Sequence, residues 1–276
     1  MESLKDIMGK YNTALSSNLT EEEICRLKCD IQNKIQGTLE GYNCTECNNN
    51  GYIFVPKFTE GYGWQETAVV CKCMKIRNVL KRLKKSGLED GINKKFDTYV
   101  TDTEWREQLK GMVLRWLNQE GSWLYIGGAT GSGKTHLCVA AMLKLLKRGK
   151  EVYYMLWRKD APKLKSLVND HEAYDKMMSE LMNVDVLYID DLFKTGRTET
   201  GASQKPTVAD INLAFEIINH RYVTNKVTVI TSECVTAELI DIDQALAGRI
   251  VEKSGPFCVS LKGKDKDWRL KGGITL

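Results

Sequence analysis

The apolar positions along the chain divide it into two parts with different patterns. Before about residue 90 the apolar stretches are short and mixed, whereas from Phe96 onward apolar runs alternate with helical stretches. The predicted strands are 123–126, 152–156, 184–189, 227–231 and 257–261. The predicted helices lie near 105–116, 134–148, 208–222 and 237–252. Alternating strands and helices indicate an α/β fold in which helices cover both faces of a five-stranded parallel sheet.

The first part of the chain predicts a small, partly helical domain. Thr20 and Glu23 form a capping box, and apolar residues follow at helical spacing: Ile24, Leu27, Ile31 and Ile35. A strand-like piece covers 51–55. A basic run follows, made of Lys72, Lys75, Arg77, Lys81, Arg82, Lys84 and Lys85. This run suits either the solvated face of a helix or a surface that contacts acid or phosphate. The polar stretch 86–95 predicts a linker, which gives domains 1–88 and 89–276.

Composition is typical of a globular protein and restricts the environment more than the activity. Of the 276 residues, 42% are apolar and 28% are charged, which argues against a largely disordered chain. No apolar run is long enough to span a membrane, and the N-terminal residues lack the apolar segment of a secretory signal. We therefore expect a cytoplasmic protein without a membrane partner. The net charge of +4 neither establishes nor excludes nucleic-acid binding.

The strongest motif is a glycine-rich loop between a predicted strand and a predicted helix. It fits G-x-x-x-x-G-K-[ST], the phosphate-binding P-loop. Glycines allow successive backbone N–H groups to face an anion, and the helix N-terminus adds partial positive charge. Lys134 can reach the β- and γ-phosphates, and the Thr135 hydroxyl can bind Mg²⁺. The predicted ATP-binding residues are Gly128, Ala129, Thr130, Gly131, Ser132, Gly133, Lys134, Thr135 and His136.

Polar residues end two further apolar strands. Asp190 and Asp191 follow strand 184–189, and we assign Asp190 to the Mg²⁺ shell and Asp191 to the orientation or deprotonation of water. Alternatively, the paired acids cap a strand. Ser232 and Glu233 end strand 227–231, where polar groups either sense the γ-phosphate or form a local cap. Arg249 lies on a late helix, and taken alone it is a surface arginine.

These motifs, in this order, resemble AAA+ ATPases over residues 96–270. The chain is most similar to DnaC/DnaI-type helicase loaders, including phage versions, on segments such as 96–99, 189–193, 215–222 and 242–250. The resemblance implies Walker A roles for Lys134 and Thr135 and Walker B roles for Asp190 and Asp191. It also places Ser232 near sensor I, Arg249 as an arginine finger supplied to a neighbouring subunit, and Arg221 as a second candidate finger. As in these loaders, we expect no C-terminal helical lid.

The nine cysteines are concentrated near the start of the chain. Cys44-x2-Cys47 and Cys71-x-Cys73 supply four thiolates, which suit one structural Zn²⁺; the alternative is free thiols. Core positions are predicted for Cys25, Cys29, Cys138, Cys234 and Cys258. Loaders of this type carry a small N-terminal domain, often zinc-binding, that engages the hexameric helicase. The resemblance therefore implies that the front part of this chain binds the helicase.

The sequence thus predicts an ATP-dependent loader of a DnaB-type hexameric helicase. It would act on single-stranded DNA as a homo-oligomer with ATP, Mg²⁺ and Zn²⁺. The candidate DNA contacts are Trp157, Arg158 and Lys159, or 147–150, for which a solvated helix end is the alternative. Two other functions stay open. One is an IstB-like transposition-helper ATPase, and the other is an adaptor that binds nucleotide without turnover.

Overall fold

The structure, a computed structural model, describes residues 19–85, 93–119, 121–194, 205–263 and 266. The chain forms two compact units, Met1–Leu80 and Lys81–Leu276. The predicted boundary after residue 88 lies outside the described residues, so it stays a prediction. Each unit is described by itself below.

The N-terminal unit contains a helix, a β-hairpin and the start of a second helix. Helix α1 covers Glu21–Lys34, the antiparallel strands β1 and β2 cover Tyr52–Thr59 and Gly63–Val70, and α2 covers Cys73–Lys85. The predicted capping box is confirmed: the Glu23 N–H donates to the Thr20 hydroxyl, and the Thr20 N–H donates to the Glu23 carboxylate at 2.8 Å. Helix α1 packs against both strands of the hairpin.

The buried side of α1 differs from the predicted one. Cys25 and Cys29 are buried, as expected for core thiols, whereas Ile35 is 46% exposed and the other apolar residues of the predicted face are only half-buried. A two-stranded hairpin covers a narrow stripe of a helix, and that stripe here carries the cysteines. Burial raises the pKa of Cys29 to about 11, which keeps this thiol protonated at neutral pH.

The C-terminal unit is an α/β sandwich built on five strands. The strands are β3 (Leu124–Gly128), β4 (Val152–Leu156), β5 (Val186–Leu192), β6 (Val227–Ser232) and β7 (Cys258–Leu261). The helices are α3 (Glu104–Trp116), α4 (Lys134–Lys147), α5 (Trp157–Ser166), α6 (His171–Asn183), α7 (Val208–Val223), α8 (Thr236–Ile242) and α9 (Gln244–Ser254). All strand pairs are parallel, in the order β4-β5-β6-β3-β7. The predicted five-stranded parallel sheet is confirmed.

The strand order determines which loops meet. In a parallel sheet all carboxyl ends lie along one edge, so residues that follow β3, β5 and β6 can converge there. Strand β3 and most of β5 are buried, and helices supply the rest of the core. Among the described residues, no helix is long and apolar enough to cross a membrane.

One predicted helix is wrong in extent. The stretch 237–252 is two helices, α8 and α9, because Asp243 is extended at φ −157° and its carboxylate accepts from the Leu246 N–H at 2.7 Å. An aspartate N-cap starts a new helix at this point. The break separates the part of this segment that carries Arg249 from α8.

Candidate nucleotide site and cysteine cluster

The P-loop backbone requires glycine at defined positions. Gly128, Gly131 and Gly133 have φ of 98°, 66° and 84°, values that side-chain-bearing residues rarely adopt. A Cβ at Gly128 would lie 2.1 Å from the Leu261 carbonyl oxygen, and one at Gly133 would lie 2.7 Å from the Tyr99 ring. The loop is therefore tightly enclosed, and it ends where α4 begins at Lys134 with an open helix N-terminus.

Lys134 lies inside this loop. Its Nζ donates to the Gly128 and Ala129 carbonyls at 2.8 and 2.7 Å, and the residue is only 6% exposed. Burial lowers the pKa of Lys134, while the charges of Asp191 and Glu233 oppose that shift. The ammonium group is thus held in the loop by neutral acceptors, which an anionic phosphate oxygen could replace.

Thr135 and Asp190 are brought together as predicted. The Thr135 hydroxyl donates to Asp190 Oδ1 at 3.0 Å, although 55 residues separate the two in sequence. Asp190 is 2% exposed and accepts further bonds from hydroxyl groups of Tyr154 at 2.8 Å, Tyr188 at 2.6 Å and Thr231. Hydroxyl and carboxylate oxygens are the ligands that Mg²⁺ prefers, so this pair fits the ion.

Two of these hydroxyl donors were missed by the sequence reasoning. Tyr188 lies two residues before Asp190 on β5, so strand periodicity could have placed both on one face. Nothing near Tyr154 in sequence indicates its role. It reaches Asp190 because β4 pairs with β5 in register.

Asp191 lies in a strand irregularity. Between Ile189 and Leu192 the register of β5 against β6 shifts, and Asp191 has φ 58°. Its N–H donates to the Thr231 hydroxyl at 3.1 Å, and its carboxylate accepts from Lys194 Nζ at 2.9 Å. Bulges commonly re-aim a side chain beside an active site. Here the bulge redirects the Asp191 side chain, which no longer follows the regular alternation of side chains along the strand.

The residue that reaches the acids from β6 is Thr231 rather than Ser232. The Ser232 hydroxyl is fully buried, donates to the Leu192 carbonyl at 2.7 Å and accepts from the Cys234 N–H at 3.1 Å. Both bonds join backbone segments, so Ser232 holds the end of β6 in place. Thr231 instead contacts Asp190 and the Asp191 backbone.

The His136 side chain points toward residues 95–99, which precede helix α3. Its Nε2 lies 2.8 Å from the Lys95 carbonyl oxygen, and its ring packs edge-on against Tyr99 at 5.5 Å. His136 therefore ties residues 95–99 to the first turn of α4. Its assignment to the nucleotide site stays a prediction.

Arg221 cannot serve a neighbouring subunit, so its assignment as a finger is wrong. It is 0% exposed, and its Nε donates to the Thr228 hydroxyl at 2.9 Å. Its remaining donors bond backbone carbonyls of Leu181, Met182, Val184 and Val227. A guanidinium whose donors are hydrogen-bonded inside the core stabilises the backbone segments that it joins.

Arg249 occupies a different environment, half-buried on α9. Its guanidinium donates to the Asn219 side chain at 2.9 Å and to the Ala245 carbonyl at 2.8 Å, and it lies 4.9 Å from the centre of the Phe215 ring. These partners belong to α7 and α9. The role of Arg249 in a neighbouring subunit's site stays a prediction.

The predicted contact of Trp157 with single-stranded DNA is wrong. The residue is 1% exposed, and its ring packs edge-on against Phe193 at 5.6 Å inside the core. A buried indole cannot stack on a DNA base. Arg158 and Lys159 are exposed, and their contact with DNA stays a prediction.

The four N-terminal cysteines form one buried cluster. Their sulfur atoms lie within 4.8 Å of one another, with Cys44 and Cys71 3.8 Å apart and Cys47 and Cys73 3.5 Å apart. Zinc–sulfur bonds of about 2.3 Å in a tetrahedron place the sulfurs roughly 3.8 Å apart. The cluster therefore could bind zinc.

The loop that carries the first cysteine pair is held in a defined shape. The Asn49 side chain accepts from the Cys44 N–H at 2.8 Å and from Arg77 at 2.9 Å. Burial raises the pKa of Cys47, but the Gly51 N–H and the neighbouring thiols outweigh it, and the pKa falls to about 7. Burial raises the pKa of Cys71 and Cys73, so Cys47 is the thiol that most readily supplies a thiolate to a metal.

The comparisons with known proteins identify the family of this chain. The family model for IstB-like ATP binding proteins matches residues 77–272. The phage-like element PBSX protein XkdC of Bacillus subtilis (strain 168) is 27% identical over 256 residues, which cover 84% of this chain and 87% of XkdC. The uncharacterized protein YqaM of the same strain is 26% identical over 215 residues, which cover 72% of this chain and 66% of YqaM.

A solved structure shares the fold. The crystal structure of the DnaC helicase loader aligns with a TM-score of 0.54 and 23% identity, over 63% of this chain and 99% of that chain. This likeness confirms the predicted AAA+ P-loop fold. Since the family match also spans the P-loop and both acids, the chain belongs to the family of IstB-like ATP-binding proteins.

Proposed function

We propose that this protein hydrolyses ATP to load a DnaB-type hexameric helicase onto single-stranded DNA. The observation that carries the ATPase part is the contact between Thr135 and Asp190 at 3.0 Å, beside Lys134 in the P-loop. These three residues, from two strand ends, form the constellation that binds a nucleotide and its metal ion.

Each residue has a distinct task in the proposed hydrolysis. Lys134 neutralises phosphate charge, and Thr135 and Asp190 would hold Mg²⁺, which would neutralise further charge. Asp191 orients the attacking water and accepts its proton. Burial of Asp190 and its hydroxyl donors keep this carboxylate in one orientation.

The loader part of the proposal rests on the combination of the two units. An AAA+ fold like that of the DnaC helicase loader is preceded here by a four-cysteine cluster that suits a structural zinc. We propose that the zinc-bound N-terminal unit holds the helicase. ATP binding would favour assembly of the AAA+ domains and contact with DNA, and hydrolysis would release the helicase.

Loading is tested directly with the full chain. Purified protein, ATP and the hexameric helicase of the same cell are incubated with circular single-stranded DNA, and DNA-bound helicase is counted after gel filtration. We expect loading that requires ATP and is lost in Cys44→Ser/Cys47→Ser. Cys258→Ser, a half-buried thiol outside the cluster, is the matched control. Equal helicase binding with and without the protein would contradict the loader function.

Arg249 is proposed to complete the active site of a neighbouring subunit. We expect Arg249→Ala and Asp191→Ala each to lose most ATP turnover, and their mixture to regain about a quarter of it if intact sites form at random between two chains. The measurement is phosphate release across mixing ratios. Absence of recovery at every ratio would show that the arginine does not act across an interface.

The family match supports a second function, that of a transposition-helper ATPase, because the matching family is described as IstB-like. The partner separates the two proposals: a loader retains a ring helicase, whereas a transposition helper retains a transposase. A third reading, a nucleotide-binding adaptor, predicts ATP binding without phosphate release. The loading experiment and the release assay together distinguish all three.

A further inference from the structure

Lys194 is a charged residue in the nucleotide site to which the proposed hydrolysis assigns no task. Its Nζ donates to Asp191 Oδ2 at 2.9 Å and lies 2.8 Å from Glu233 Oε1. Asp191 belongs to β5, and Glu233 directly follows β6. One ammonium group therefore joins the ends of two neighbouring strands at the edge of the sheet where the P-loop lies.

The backbone between Asp191 and Lys194 is built to place this ammonium. Asp191 and Phe193 have φ of 58° and 62°, and the Lys194 N–H donates to the Asp191 carbonyl at 2.9 Å. Two non-glycine residues in the left-handed region are costly, and such strain persists only where surrounding structure enforces it. Phe193 supplies the anchor, because it is 4% exposed and packs against Trp157.

The charges of Asp191, Lys194 and Glu233 interact with one another. Because both carboxylates contact one nitrogen, their oxygens lie within about 6 Å, a range in which like charges repel strongly. All three side chains are 22–30% exposed, so water screens them only in part. Lys134 also feels the charges of Asp191, Glu233 and Lys194, which places all of them in one electrostatic environment.

The orientation of the Asp191 carboxylate depends on such a partner. An aspartate carboxylate is one methylene closer to the backbone than a glutamate carboxylate, so its position depends on its backbone and its hydrogen-bond partners. Without Lys194, repulsion from Glu233 would turn the Asp191 carboxylate away from its present orientation. Glu233 lies where sequence reasoning expects a residue that senses phosphate, yet its observed partner is the lysine.

We propose that Lys194 is a positioning residue for ATP hydrolysis. It offsets the repulsion between Asp191 and Glu233 and so holds the Asp191 carboxylate in the orientation that activates water. The proposal rests on the proposed ATPase function and adds Lys194 to its charged residues Lys134, Asp190 and Asp191. Lys194 acts through Asp191 and has no part in nucleotide binding.

The test uses the full chain with Lys194→Met, Lys194→Arg and the control Lys205→Met. Lys205 is an exposed lysine that lines the same cavity of about 500 Å³ as Lys194. We expect Lys194→Met to lower kcat about 10- to 100-fold, with the Kd of a fluorescent ATP analogue changed less than about twofold. Lys194→Arg should recover most of kcat, and Lys205→Met should match the unaltered protein.

A double-variant cycle checks the coupling. If Lys194 works by holding the two carboxylates together, Lys194→Met/Glu233→Gln loses no more kcat than Lys194→Met alone. Fully additive losses would overturn the proposal. Weakened nucleotide binding at unchanged kcat would also overturn it, because that result indicates that Lys194 contacts phosphate. A rise in kcat would overturn it as well, because that result indicates that Lys194 restrains hydrolysis.

The outcomes also separate this proposal from the ATPase function on which it rests. An unaltered protein that binds ATP without hydrolysing it overturns both. Normal hydrolysis with an unaffected Lys194→Met variant overturns only the role of Lys194. Thermal unfolding of each variant, compared with Lys205→Met, shows whether a loss of kcat reflects a loss of fold.

Discussion

Lys134→Ala is expected to lower ATP turnover at least about 100-fold while the fold stays intact, because it removes the only P-loop cation among the described residues. Loss of one donor aimed at developing charge typically costs 10²- to 10³-fold in rate. Lys134 is only 6% exposed, and two loop carbonyls hold its ammonium inside the P-loop. The measurement is phosphate release at saturating ATP.

The matched control for this experiment is Lys144→Ala. Lys144 lies in the last turn of α4 with an exposed side chain, so its replacement should leave turnover unchanged. Circular dichroism and thermal unfolding should show the same fold in both variants. Undiminished hydrolysis by Lys134→Ala would contradict the assignment of the nucleotide site.

Removal of metal is expected to unfold the N-terminal unit while the AAA+ domain keeps its structure. The buried apolar side chains among the described residues 19–80 are mostly cysteines: Cys25, Cys29, Cys44, Cys47, Cys71 and Cys73, with Val79 and Leu80. A core this small contributes little free energy of folding. Structural zinc contributes about 10–16 kcal/mol in small domains, so folding of this unit should depend on it.

Metal analysis and limited proteolysis of the full chain check this expectation. We predict about one Zn²⁺ per chain and, after treatment with a strong chelator, rapid cleavage between residues 19 and 80. Cys47→Ser should behave like the chelated protein, whereas Cys138→Ser, at a buried position outside the cluster, should retain its zinc. Metal-free protein with an unchanged cleavage pattern would refute the four-thiolate site.

The two units differ in what stabilises them, and this difference affects how the protein can be manipulated. The C-terminal unit has a continuous apolar core around β3, β5 and β6, so single substitutions in its nucleotide site should leave it folded. We expect the N-terminal unit to depend instead on one Zn²⁺ held by four cysteine sulfurs, an ion that a chelator can remove. A zinc-selective chelator used with Mg²⁺ in excess therefore offers a way to remove the proposed helicase contact without depriving the proposed ATPase of its Mg²⁺.

Local sequence motifs were sufficient to predict those parts of the protein whose chemistry lies in consecutive residues. The P-loop from Gly128 to Thr135, the two acids near the end of β5 and the capping box at Thr20 all depend on neighbours in sequence, so periodicity and spacing predicted them. The parallel sheet followed for the same reason. The four cysteines converge as their spacing suggested, although the pairs are far apart in sequence.

Only the tertiary structure decided which residues surround Asp190 and Asp191. Tyr154 comes from β4, Thr231 from β6 and Lys194 from the turn after β5, and each reaches the acids because of strand order and one bulge. Likewise, Arg221 and Arg249 look alike in sequence, yet one is enclosed by carbonyls and the other lies on a half-buried helix face.

The sequence by itself therefore determined the class of site and the order of the elements. The tertiary structure decided the partners of each side chain, because contacts between strands far apart in the chain follow from packing rather than from local pattern.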